Sequence, residues 1–435
     1  MFHGPPAAPA PIFVTVTQTQ TQTVHAAAPT VTVRASPEVP PLLNGPPTTA
    51  YKDNLRPELQ YITTWPGSGF TQTAQMNLIY LGLLTERVPI ITFFTPAHIW
   101  KGDPIWGPTI DFGQVFDVPR LSEALGKPVL EWWEVKDPTS KAVDPLGCWN
   151  VWQAVNKNNP GPHFNTAPRR LKLDISYTIA PRSIKLFPSL EHDTHMTYAS
   201  LVALAFPAAR NRALQSLPPP DVSPILKTSL APDEHLLCFD NLYWASSADT
   251  HEIQRDFGPA WRFVGQYMHW APQVEARAHE YLRAAFGLAP GDTIPPYITV
   301  HARRGDFAKW CRAPHEECLA PLAAYALRVD EVRAALFAAR GVAVAHVVMT
   351  SDEAEPAWWD EVRARGWVAP DHALTGERYG KWGPVHIDGA IQSGSVGFVG
   401  TDQSTVSIVA GRRVTAWRGG VVRMVKWGKV GADDH

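Results

Sequence analysis

A histidine, two arginines and an aspartate follow directly on a run of β-branched residues: Tyr297 to Phe307 reads YITVHARRGDF. Ile298, Thr299 and Val300 have the composition of a buried strand, and Gly291 and Pro295-Pro296 mark a loop before it. His301, Arg303, Arg304 and Asp306 then stand at the strand's end. In open α/β sheets ligands bind in the crevice at the carboxyl ends of the strands. A guanidinium grips a phosphate there with parallel charge-assisted hydrogen bonds, and Asp306 can orient it. The plainer reading is a strand-end ion pair on the surface.

Two later strand ends add to the pattern. VAVAHVVMTSDE (342–353) ends on Ser351 and Asp352, and GFVGTDQST (397–405) ends on Thr401, Asp402, Ser404 and Thr405. The last cluster opens a helix, so hydroxyls and free N–H groups meet a positive dipole end. Ser404 and Thr405 alone would be ordinary caps. Beside Arg303 they read as the seat of a diphosphate. In a parallel sheet all three ends face one side and can converge on one ligand. No Walker lysine pattern, paired-histidine zinc motif or G-x-S-x-G elbow occurs.

The elements that must position these residues alternate. In the second half, residues 321–341 form an amphipathic helix closed by Gly341, 342–353 a buried strand, 356–366 and 386–393 helices, and 397–417 a strand, turn, helix and strand. Such β-α alternation implies a parallel sheet covered by helices. In the first half, Tyr61 to Trp65 reads as a strand and Pro66-Gly67-Ser68-Gly69 as a turn able to receive an anion. Met76, Ile79, Tyr80, Leu83 and Leu84 then share one helix face, and Ile90 to Phe94 is a second strand. Strands are also expected within 171–180 and 235–245, the latter ending near Asp240. Residues 261–286 are helical in texture and able to bridge two domains. The many tryptophans between 100 and 152 read as core filler more than as sugar platforms.

At 435 residues, two or three domains fit. Apolar residues at 45% suffice for a core, while 41 prolines and only 18% charged residues point to long loops and a disordered end. That end is residues 1–48, rich in Thr, Pro and Ala. A net charge of −2 argues against a nucleic-acid surface. No run is long and apolar enough for a membrane span, and the first residues lack the pattern of a secretory signal. Of four cysteines, Cys311 and Cys318 bracket a short polar loop and can pair in an oxidising compartment; two partly buried thiols are the other reading.

HARRGDF, then TSD, then DGAIQSGSVGFVGTDQSTVSIVAGRR together resemble the O-fucosyltransferase family, the GDP-fucose-dependent GT-B glycosyltransferases. The opening WPGSGF…MNLIYLGLLTERVPI is similar to the Gly-rich acceptor-side loop and helix of its fungal members. The likeness covers most of the chain from about residue 58 and is firmest over 297–417. It implies an α/β, GT-B-like fold of two Rossmann-type domains with parallel sheets and a cleft between them. The expected divisions are a stalk (1–48), an acceptor-side domain (49–290) and a nucleotide-sugar domain (291–435). By the resemblance Arg303 contacts the donor diphosphate and is catalytic, Ser404 and Thr405 hold phosphates, and Asp388 lies near the guanine or the phosphate loop. Gly67, Gly69, Phe70, His301, Arg304, Asp306, Ser351, Asp352 and Thr401 complete the donor set. The implied reaction is inverting fucosyl transfer from GDP-fucose to a protein or glycan hydroxyl, with no cofactor and no metal, in the secretory lumen. A Thr-rich stalk often follows a type II anchor, so an apolar run upstream of Met1 is expected.

The sequence departs from the family at two points. Thr71-Gln72-Thr73 stands where an Asn is usual, and Ser68 stands where some protein-fucosylating members carry a glutamate base. Ser68 is then the catalytic position on the acceptor side, and a serine without a partner is a poor base. The alternatives are a catalytically inactive module binding sugar nucleotides or glycans, and a transferase with another nucleotide-sugar donor.

Overall fold

A computed structural model describes residues 41–65, 70–97, 99–159, 161–250, 252, 258–312 and 314–434. The 66–69 turn, with Gly67, Ser68 and Gly69, lies outside the described residues, as do positions 1–40 of the expected stalk. Positions 42–48 are part of the fold. Leu43 bridges Leu55, and Thr48 bridges Lys136; Leu42 and Leu43 pack on a core containing Tyr51, Tyr61 and Trp132.

The strands are β1 (Tyr61–Thr64), β2 (Val88–Ile91), β3 (Leu130–Glu131), β4 (Asp144–Asn150), β5 (Leu173–Ile179), β6 (Met196–Thr197), β7 (Leu236–Phe239), β8 (Ala245–Ser246), β9 (Tyr297–Ala302), β10 (His346–Ser351), β11 (Gly397–Thr401) and β12 (Val421–Val425). Six of them form a sheet in the order β3-β2-β1-β7-β4-β5, four a second in the order β10-β9-β11-β12, and β6 pairs with β8. Every pairing between these strands is parallel. Strands β1, β2, β7, β9 and β11 are buried along their whole length, which suits sheets covered on both faces, while the edge strand β12 is buried only at Val425.

Some expected boundaries move. The second strand ends at Ile91 instead of Phe94, and the strand of 342–353 is confined to β10. The strand expected to close 397–417 is absent there, because the helix Thr405–Arg418 runs on to Gly419 and the strand is β12. The helix Gln72–Thr85 buries Ala74, Leu78 and Leu81 completely and leaves Leu84 41% exposed. Its sheet-facing stripe is therefore rotated from the one read from Met76 and Leu84, since a broadly apolar helix does not mark its own deepest face. The helical texture of 261–286 is three pieces, Pro259–Phe263, Gly265–Tyr267 and Pro272–Phe286. Trp100, Trp106 and Trp133 are exposed, while Trp132 and Trp149 fill the core.

Residues Leu42–His435 pack as one compact unit, and one core cluster runs from Ile62 and Leu78 through Trp270 and Val274 to Ile387 and Val409. The helix Pro272–Phe286 packs on the helix Gly383–Gly394. The approach is close enough that a Cβ at Gly389 would come within 2.7 Å of the Trp270 ring. Two disulfides are present, Cys311–Cys318 and Cys148–Cys238, the latter joining the neighbouring strands β4 and β7.

Candidate functional site

In the four-stranded sheet the chain runs from β9 outward to β10, then crosses to the other side of β9 for β11 and β12. The strand order therefore reverses between β9 and β11, the place where open α/β sheets form a crevice. The register puts Gly400 opposite His301 and Ser351 opposite Ala302, so the three polar clusters end level with one another.

A cavity opens at this point, and its lining includes Arg303, Asp306, Phe307, Gln403, Ser404 and Thr405. The Arg303 guanidinium reaches it between two carboxylates, with Nε 2.7 Å from Asp306 and an Nη 3.0 Å from Asp352. Both contacts are ion pairs without hydrogen-bond geometry, and Asp306 Oδ1 has no hydrogen-bond partner among the described residues, so the guanidinium's N–H donors remain for a ligand. Asp352 is fixed in turn: one oxygen accepts from the backbone N–H of Arg304 at 2.7 Å and of Gly305 at 3.1 Å. Position 305 must be glycine for this, because a Cβ there would lie 2.8 Å from the other Asp352 oxygen.

One wall of the cavity is the N-terminal end of the helix Thr405–Arg418. Ser404 caps it by accepting from the Ser407 N–H. Gln403, before the cap, has φ +63°, an uncommon conformation for a residue with a Cβ. The wall is locked to β9 by Thr401, whose hydroxyl donates to the His301 carbonyl at 3.0 Å and accepts from the Arg303 N–H at 2.8 Å. Ser407 Oγ accepts from the Thr401 N–H and lies 2.7 Å from His301 Nδ1. Burial, aided by Arg303, lowers the His301 pKa to about 4, against a weaker upward pull from Asp352. His301 is thus a neutral linker between strand and helix at physiological pH.

The opposite wall comes from the first half of the chain. Phe70 to Thr73 and Tyr243 line it. Burial raises the Tyr243 phenol, and a hydrogen bond to Thr405 opposes that rise. Phe70 is anchored among Phe94, Phe116, Trp270, Trp382 and His386, with ring centroids 4.8–6.3 Å apart. Arg413, one turn beyond the lining residue Val409, is fully buried and donates to Gln72 at 2.7 Å. Burial lowers its pKa to about 9, and rings of Phe116, Trp270 and Trp417 surround it. The segment Phe70–Thr73 is therefore pinned to the helix whose N-terminal end lines the cavity.

The sequence-derived set divides accordingly. Phe70, Arg303, Asp306, Ser404 and Thr405 line the cavity. His301, Ser351, Asp352 and Thr401 hold the frame behind them; Ser351 donates to the Ala302 carbonyl at 2.6 Å. Arg304 does not line it. Its Nε binds Glu353 at 2.5 Å, an Nη reaches the Ala320 carbonyl, and the guanidinium lies over Trp358. Asp388 is also outside the lining and pairs with His372 at 2.8 Å. Tyr243 and Arg413 were not legible as site residues. Tyr243 sits in a loop-rich region without periodicity; the i, i+4 spacing of Val409 and Arg413 was the available signal for the second.

No family model and no curated protein sequence matches the chain. Solved structures do. Crystal structures of POFUT1 without ligand, with GDP-fucose and with GDP align with TM-scores of 0.51, 0.51 and 0.52 at 15%, 14% and 15% identity. The alignments cover 84%, 86% and 84% of this chain and 97%, 99% and 98% of those chains. The fold is GT-B-like. At such identity the likeness is one of architecture, and the chemistry has to be argued from the cleft.

Proposed function

We propose that the chain is a glycosyltransferase that transfers fucose from GDP-fucose to a hydroxyl of a protein or glycan acceptor, with inversion and without a metal. The observation that carries this reading is the meeting, at the β9/β11 switch point, of an ion-paired guanidinium and the capped N-terminus of a 14-residue helix. Both offer fixed positive potential to one diphosphate, and the cavity is closed on its far side by the Phe70–Thr73 segment. The fold shared with POFUT1, crystallised with GDP-fucose, and the motif resemblance support the choice of donor.

In this mechanism the acceptor oxygen bonds to the anomeric carbon as that carbon's bond to the β-phosphate oxygen breaks, and GDP leaves with the electron pair. Arg303, held by Asp306 and Asp352, and the N–H groups at Thr405 stabilise the growing charge on the leaving diphosphate; pre-aimed dipoles are strongest for such charge. The attacking hydroxyl must also lose its proton, and by the motif resemblance Ser68 is the candidate position for the group that takes it. Two disulfides support an oxidising compartment, in keeping with the secretory lumen. We also propose a division near residue 290, between the part that carries the six-stranded sheet and the part that carries the four-stranded sheet; the expected boundary at 48 gives way to a fold that starts at Leu42.

Calorimetry on residues 41–435 tests the reading: binding of both GDP and GDP-fucose is expected, and a folded protein that binds neither overturns it. A second reading, a donor-binding module without transfer, is favoured by Ser68. Turnover of GDP-fucose to free GDP in the presence or absence of acceptors separates the two. Tighter binding of a different nucleotide sugar would instead reassign the donor.

A further inference from the structure

A second cavity lies on the other side of the segment that supports Phe70. Phe94 faces inward, 4.8 Å from Phe70, and bridges Ile110. Its neighbour Phe93 faces the second cavity, as do Thr109 and Asp111 on either side of Ile110, the alternation expected of paired extended segments. Glu131, at the end of β3, and Trp133 complete one wall, and Arg170 another.

The polar groups here are built in but not used up. The Asp111 carboxylate has no hydrogen bond or ion pair among the described residues, and burial raises its pKa. Glu131 accepts from the Gly113 N–H at 3.0 Å and from Trp133, and burial raises its pKa to about 7. Trp133 is thereby held while 47% exposed. Arg170 donates through one Nη to the carbonyls of Pro104 and Gly107 at 2.7 and 2.6 Å; its Nε is buried out of reach of solvent, and its other Nη has no hydrogen bond among the described residues and is the donor left for the cavity. Charge around the cavity is close to balanced. Lys136 is taken up by Asp144 at 2.7 Å, which leaves Arg170 and Lys172 against Asp111, Asp137 and a Glu131 that is easily protonated.

We propose that this cavity is a saccharide-binding subsite, taking a neutral pyranose against the Trp133 indole with its hydroxyls on Asp111 and Arg170. An indole face offers apolar area to the C–H side of a sugar ring. A desolvated carboxylate and an unpaired guanidinium N–H are the acceptor and donor that vicinal hydroxyls satisfy together. A cationic side chain would suit the carboxylates but meets Arg170 and Lys172; an anion meets Asp111 and Glu131. The inference stands apart from the nucleotide cleft and does not depend on the reading given to it.

The test is an array of neutral mono- to tetrasaccharides built from glucose, galactose, mannose, xylose and N-acetylglucosamine, with calorimetry on the tightest binder. Trp133→Ala and Asp111→Asn are expected to weaken that binder at least tenfold, while unfolding curves and nucleotide binding match wild type. Any of three outcomes overturns the proposal: folded wild type that binds nothing on the array, saccharide binding unchanged in both variants, or binding of a lysine-rich peptide in place of every saccharide.

Discussion

Replacing Arg303 by alanine isolates the donor-binding argument. The guanidinium is only partly exposed, its Nε and one Nη are ion-paired with Asp306 and Asp352 at 2.7 and 3.0 Å, and the side chain lines the cleft. Its removal deletes at least one charge-assisted hydrogen bond to a diphosphate, about 2–3 kcal/mol, or about 30- to 150-fold in the Kd for GDP. It also leaves two carboxylates beside the ligand without their cation, so the upper half of that range is expected. Arg303→Lys keeps the charge but not the fork that spans both aspartates, and a loss of about 1–1.5 kcal/mol is expected. Isothermal titration at fixed ionic strength reads both numbers, with thermal unfolding as the control for folding. If Arg303→Ala weakens GDP less than threefold while melting like wild type, the guanidinium is a strand-end ion pair and the diphosphate seat is elsewhere.

Three further perturbations test the frame. Because His301 titrates near 4 in the fold instead of 6.5, the unfolded chain takes up its proton first. Its contribution to stability is complete above pH 6.5 and is lost as pH falls towards 4; urea unfolding at pH 7 and 5 checks this, and His301→Asn should show the smaller difference. The Cys148–Cys238 disulfide closes a separation of 90 residues, and its replacement by two alanines is expected to cost about 3–5 kcal/mol. Thiol titration of the unreduced, denatured protein should find no free thiol, and two free thiols would remove that prediction. At Gln403, with φ +63°, valine is expected to cost about 1–2 kcal/mol and glycine less than about 1 kcal/mol; equal melting of the two variants would mean that the loop relaxes.

Much of the second sheet is local in origin and so was legible along the chain. β-branched runs gave β9 and β10, the helix Leu322–Arg340 ends at Gly341 with φ +66° as its sequence suggests, and Ser404 is a cap. The chemistry-bearing types at Arg303, Asp306, Ser404 and Thr405 were visible for the same reason: they sit at strand-to-helix junctions, and those junctions have composition signals. What the sequence could not apportion is direction. Arg303 and Arg304 are adjacent, yet alternation about the strand end sends one to the cleft and the other to Glu353 and Trp358. Asp388 could be placed on a helix, but only the packing of that helix decides that it meets His372. The far wall was least legible, because Tyr243, Gln72 and Arg413 come together across separations of 100 residues and more, and no local pattern encodes such a meeting. The chain by itself determined which residue types stand at which strand ends. The tertiary structure decided which of them share a cleft, because that depends on strand order and on the buried core that the two halves build together.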